Sequence, residues 1–233
     1  MAGTGVVSTL GFAAGASLPL LAGAIVGVYW RPPRQVVASA LAFAAGALIS
    51  AVAFDLFEDG YSGGGALRAG LGFAAGAAVF VAIDAALVKS TGTNPTGWAL
   101  LAAVTLDGVP ENSALGVTLN GVGSLALLVA VFVSNLPEAM AGAISMRSAG
   151  HSRGSIVGVW AGATVLLALA VVLGRLALAG ATEQQLAWPL TFAAGAVLAS
   201  VIDTLAPEAF RDGGPAVAMA SSAGFFTAFV LSA

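Results

Sequence analysis

The most constraining feature of this chain is its succession of long runs without a single charge. Met1–Trp30, Gln35–Phe54, Gly154–Gly174, Gln184–Ile202 and Gly213–Ala233 are each uncharged. A helix needs about 20 apolar residues to cross roughly 30 Å of hydrocarbon, so each run is long enough to span a bilayer. Residues 112–137 form a further run, broken by the turn signals of Asn120-Gly-Val-Gly-Ser124. Segments 66–88 and 96–119 are apolar with isolated acids. The expected architecture is all-α and polytopic, with eight transmembrane helices at 4–29, 35–57, 66–88, 96–119, 124–146, 154–178, 187–210 and 214–232, in one domain covering 1–233. A barrel would instead show short segments of alternating polarity.

Composition narrows the class further. Only 8% of the 233 residues are charged, against about 25% in soluble domains. The chain has 8 basic and 11 acidic residues, and no cysteine. That excludes an ordinary soluble enzyme, a basic nucleic-acid-binding face and thiolate metal chemistry. Arg31, Arg34, Lys89, Arg147, Arg153 and Arg211 fall on one side of the expected topology, and Arg68 and Arg175 on the other. The positive-inside rule places the first side in the cytoplasm. Both termini of an integral protein of the plasma (inner) membrane are then outside. The first span lacks a basic leader, so no cleavable signal peptide is expected.

The string Phe43-Ala-Ala-Gly-Ala47 recurs at Phe192–Ala196, and acids come after each copy: Asp55, Glu58 and Asp59 after the first, Asp203 and Glu208 after the second. The second span runs outward and the seventh inward, as an inverted repeat would require. The same string at Phe12–Ala16 and Phe73–Ala77 also fits simple packing of small residues between helices.

An acid at mid-bilayer costs about 2.5–3.5 kcal/mol on insertion scales, which marks it as functional. Asp107 and Glu111 in the fourth span and Glu138 in the fifth are such acids. Asp107 and Ser134 each precede a Pro-Glu glutamate by four residues, Glu111 and Glu138 respectively. That spacing puts each pair on one helix face. Pro110 frees the Leu106 carbonyl and Pro137 that of Val133. The fourth and fifth spans, adjacent in sequence, are expected to present carboxylates, amides and loosened carbonyls toward each other, an oxygen-rich cluster that suits a divalent cation. Two glutamates in a dry site need either a cation or a proton.

These residues resemble the ZIP (Zrt/Irt-like) family of divalent metal-ion transporters. Its His-Asn-x-Pro-Glu-Gly type motif lines up with Asp107-Gly-Val-Pro-Glu-Asn112, and the related fifth-span motif with Ser134-Asn-Leu-Pro-Glu-Ala139. Asp55-Leu-Phe-Glu-Asp-Gly60 and Leu205-Ala-Pro-Glu-Ala209 resemble the family's second-span motif more loosely. The resemblance implies eight spans with outer termini and metal ligands Asp107, Glu111, Ser134, Asn135 and Glu138. It departs from the family where Asp107 replaces a histidine, Gly108 an asparagine and Asn112 a glycine. Gly162-Ala-Thr164 supplies no sixth-span acid. One complete site is implied; a second adjacent one lacks ligands at Gly108 and in the sixth span.

Without histidine, the oxygen donors favour Mn²⁺, Mg²⁺ or Fe²⁺ over zinc. The expected function is secondary transport of a divalent cation (zinc, iron or manganese class) toward the cytoplasm. The metal is cargo and no prosthetic group is implied. Asp55, Glu58, Asp59, Asn112, Asp203 and Glu208 are candidates for the transport pathway, the first three as an outer cation-collecting mouth. The alternative is a proton-coupled carrier or channel for another solute, with the same acids as a proton relay. An intramembrane aspartyl protease would need a Gly-x-Gly-Asp string, which is absent, so no enzyme is expected. Partners are the cation and the lipid bilayer, and small-residue surfaces permit a homodimer. Trp30, Trp98, Trp160 and Trp188 are expected in interfacial belts.

Overall fold

The computed structural model describes residues 2–30, 32–91, 97–121 and 123–233. The described residues are almost entirely helical and contain no strand. The helices are α1 (Ala2–Tyr29), α2 (Arg34–Ala51), α3 (Glu58–Thr91), α4 (Gly97–Thr118), α5 (Leu125–Ser148), α6 (Arg153–Ala177), α7 (Glu183–Ser200), α8 (Ala206–Gly213) and α9 (Val217–Ser232). Wide π-helical turns join α2 to α3 (Val52–Phe57) and α7 to α8 (Val201–Leu205), and a 3₁₀ turn, Gly214–Ala216, precedes α9. Among the described residues five stretches are long and apolar enough to cross a membrane: Gly5–Tyr29, Arg34–Lys89, Leu125–Ser148, Arg153–Ala177 and Glu183–Ser232.

Two of the expected loops are not loops. Residues 58–64 continue the helix of α2 past the wide turn, and the chain reverses at one residue, Gly65 (φ 73°, ψ 170°). The reversal is clear because the Phe57 and Phe73 ring centroids lie 5.3 Å apart. Sixteen residues of straight helix would separate them by about 24 Å. Gly214 (φ 65°, ψ −161°) makes the corresponding break before α9. Only glycine takes such conformations readily, so one residue replaces a loop. The linker between the third and fourth expected spans lies at 92–96, outside the described residues.

Close backbone approaches sort the helices into two groups. Gly23 of α1 lies against the Leu136 carbonyl of α5, and Gly116 of α4 against the Val171 carbonyl of α6. Gly46 of α2 lies against the Ser221 carbonyl of α9, and Gly76 of α3 against the Phe192 carbonyl of α7. At each of these a Cβ would collide with the neighbour's backbone. Lipid is as apolar as leucine, so membrane helices gain little by burying apolar surface and associate through such contacts. Among the described residues, α1, α4, α5 and α6 form one group and α2, α3, α7, α8 and α9 the other. Among the described residues no glycine-to-backbone approach this close joins the groups. Their shared seam is filled by side chains such as Leu48, Leu56, Leu115, Leu127, Val131 and Val197.

Trp160 departs from the interfacial expectation. It is buried on α6, where its ring occupies the space left by the missing side chain of Gly142 on α5. Trp30 and Trp188 are exposed, and the Trp98 side chain lies outside the described set.

Candidate functional site

Asp107, Glu111, Asn112, Ser134 and Asn135 lie deep in the protein, at 7%, 3%, 0%, 1% and 1% exposure. Glu138 is half-buried. Helices α4 and α5 continue through Pro110 and Pro137, which keeps Asp107 one turn from Glu111 and Ser134 one turn from Glu138. The carboxylates of Asp107, Glu111 and Glu138 are near enough for their charges to repel one another. The structure therefore brings the three deep acids into one region.

The helices do not meet as the sequence suggests. Helices α4 and α5 touch only sparsely: α4 packs mainly on α6 and α7, and α5 on α1 and α2. The acids are held from outside that pair. Ser200 Oγ, at the end of α7, donates to Asp107 Oδ1 at 2.9 Å. Asn135 Nδ2 donates to the Ala16 carbonyl of α1 at 2.7 Å. Ser134 Oγ returns to the Val131 carbonyl of its own helix at 3.0 Å. Asn112 Nδ2 donates to the Gly108 carbonyl at 2.8 Å, while its buried Oδ1 has no hydrogen-bond partner. Among the described residues no three side chains of His, Cys, Asp or Glu are grouped so as to hold a metal ion by themselves.

The cluster expected as a cation-collecting mouth is built differently from the expectation. A cavity of about 400 Å³ is lined by Asp55, Asp59 and Glu183, with Ser124 and Thr118 among its polar walls. Glu58 is exposed and does not line it. Asp55 sits in the wide turn after α2 and accepts from Ser124 Oγ at 2.8 Å and Ser232 Oγ at 2.7 Å. Asp203 occupies the matching wide turn after α7, but it is exposed and lines a groove of about 380 Å³ between α3 and α7. Glu208, half-buried, lies 3.7 Å from Arg211. Asp203 and Glu208 are nevertheless within electrostatic reach of Asp107 and Glu138 respectively.

Sequence reasoning missed Ser124, Glu183, Ser200 and Ser232. Glu183 comes directly after the Thr182 helix cap, whose box closes with Gln185, so it reads as a helix start. Ser200 and Ser232 stand in apolar, small-residue strings with no pattern around them. The chain matches no protein-family model, and no curated protein matches it.

Proposed function

We propose that this protein is a secondary transporter for divalent cations, of ZIP-like architecture. The observation that carries the reading is the burial of Asp107 and Glu111, one turn apart in an apolar helix and close to Glu138. Buried like charges of this kind need either protons or a counter-charge, and in this reading a divalent cation supplies the counter-charge. The ligands are Asp107, Glu111 and Glu138, completed by the oxygens of Ser134 and Asn135. An all-oxygen set of this kind favours manganese, magnesium or iron over zinc.

Reading α1, the leg on each side of Gly65, α4, α5, α6 and the leg on each side of Gly214 as one span apiece gives eight spans. The pairing supports an inverted repeat. Helix α1 packs on α5 as α6 packs on α4, α2 packs on α9 as α7 packs on α3, and a wide turn succeeds both α2 and α7. Alternating access is a shift of one group of helices past the other along their side-chain seam. The acidic outer cavity concentrates cations ahead of that step. The basic side faces the cytoplasm, and both termini lie outside.

The test is uptake by reconstituted vesicles of Mn²⁺, Fe²⁺, Mg²⁺ and Zn²⁺, with and without a pH gradient. Saturable Mn²⁺ or Fe²⁺ uptake that zinc inhibits only weakly is expected. Zinc accumulation that manganese and iron do not compete with sinks the proposed preference. A wild type that neither accumulates nor is stabilised by any of these metals sinks the transporter reading, and leaves the acids as a proton relay.

A further inference from the structure

We infer that Ser200 is a positioning residue for the cation site, acting through Asp107 from the opposite group of helices. The inference rests on the transport reading and deepens it.

Hydroxyls in the middle of a helix ordinarily return their proton to a carbonyl three or four residues back. That is what happens through most of this molecule. Ser17 donates to Ala13, Thr164 to Trp160, Thr191 to Ala187 and Thr204 to Ser200 itself, at 2.6–2.9 Å. Ser200 is different. At 1% exposure its Oγ turns away from its own helix and donates to Asp107 Oδ1 on α4. It is the last residue of α7 before the wide turn Val201–Leu205. A π-helical turn accommodates one extra residue and shifts the helical register beyond it. Ile202 and Asp203 face outward there, while Ser200 faces inward to α4.

The bond has a chemical consequence. A carboxylate that both binds a cation and stays buried needs its second oxygen held, or it swings between ligating and non-ligating rotamers. With Oδ1 tied to Ser200, Oδ2 is left as the ligating oxygen, and Glu111 lies one turn along the same face. A hydroxyl donor does this without adding a competing positive charge. Hydrogen-bond partners of metal ligands act in this way, by orienting the ligand rather than touching the metal. Because Ser200 belongs to the second group and Asp107 to the first, the bond also holds the site at the seam between them.

The experiment is Mn²⁺ uptake kinetics in reconstituted vesicles for wild type, Ser200→Ala, Ser200→Cys and Thr191→Val. Ser200→Ala is expected to raise KM on the order of tenfold, the scale of one hydrogen bond to a charged group, with kcat within about twofold. Ser200→Cys keeps the volume and a weak donor, and its KM is expected between the two. Thr191→Val removes an equally buried hydroxyl that bonds only within its own helix, and its KM is expected unchanged. An unchanged KM in Ser200→Ala, an equal rise in Thr191→Val, or a loss confined to kcat each overturns the inference while wild-type transport stands. Absence of divalent uptake by the wild type overturns the transport reading itself.

Discussion

The Ser124 hydroxyl donates to Asp55 Oδ1 at 2.8 Å and so fastens the first turn of α5 to the wide turn at the end of α2. The same oxygen accepts the Leu127 backbone N–H at 2.8 Å. One serine therefore caps a helix and bridges the two groups of helices. Ser232 satisfies the other Asp55 oxygen, but from within the second group. Ser124→Ala removes both roles, and a lost N-cap alone costs about 0.5–2 kcal/mol. Ser232→Ala removes only a hydroxyl donor. Unfolding in detergent micelles is expected to show the larger drop in midpoint for Ser124→Ala. Equal drops would mean that the cap carries no stability.

The glycine seams give a second test. A Cβ at Gly116 would collide with the Val171 carbonyl, whereas one at Gly158 meets nothing within 4 Å. Gly116→Val is expected to destabilise by at least the 1–3 kcal/mol typical of overpacking. Gly158→Ala is expected to be neutral or to stabilise by a few tenths, since it only stiffens the unfolded chain. The same unfolding measurement checks both. Comparable losses at the two positions would deny the seams their role in holding each group together.

At Gly65 the constraint is the backbone alone. Its φ of 73° and ψ of 170° suit glycine, and no atom lies within 4 Å of where a Cβ would stand. Gly65→Ala is therefore expected to cost about 1–3 kcal/mol through strain. Gly70→Ala, also in open space but in regular helix, serves as the control. A Gly65→Ala protein as stable as wild type would show that the reversal tolerates another geometry.

The cavity beside Asp55 separates two acids that the sequence groups together. Asp59 and Glu183 line it, and Glu58 does not. Glu183→Gln is expected to raise the KM for cation uptake at low ionic strength, with the effect fading as salt shortens the screening length below about 10 Å. Glu58→Gln is expected to leave KM unchanged under the same conditions. The check is uptake in vesicles at two salt concentrations, and a larger effect at Glu58 would refute the assignment.

The helical class was legible because uncharged runs of 20 residues admit few alternatives. The depth of Asp107 and Glu111 was legible from their place inside long apolar runs, whereas Asn135 was named through the family resemblance. Their surroundings were not legible. Helix neighbours here are chosen by where glycine admits a carbonyl, as Gly23 does for Leu136 and Gly76 for Phe192. A sequence with 31 glycines does not say which of them do so. Hence α4 was expected against α5, when Asp107 is held by Ser200 of α7 and Asn135 by Ala16 of α1. The turn at Gly65 was hidden for a related reason: one positive φ replaces a loop, and residues 58–64 are polar enough to read as one. Asp203 was expected to line the exit from its depth in the seventh span, and the wide turn leaves it exposed, a local geometry that no pattern of residue types announces.

The deep acids make the most direct prediction. Glu111 is almost fully buried and close to both Asp107 and Glu138. Glu111→Gln keeps its shape and removes one negative charge, so the protein is expected to fold at least as well as wild type in the absence of metal. Its affinity for Mn²⁺ is expected to fall by at least the 10–100-fold that loss of an orienting partner alone causes. Glu138→Gln is expected to behave in the same way, whereas Glu208→Gln, at the Arg211 pair, is not. The measurement is thermal unfolding of the purified proteins across a Mn²⁺ titration. Wild type and Glu208→Gln are expected to gain stability with metal as RT ln(1 + [L]/Kd), and the two inner variants to gain much less. An equal metal-dependent gain in Glu111→Gln would remove this glutamate from the cation site.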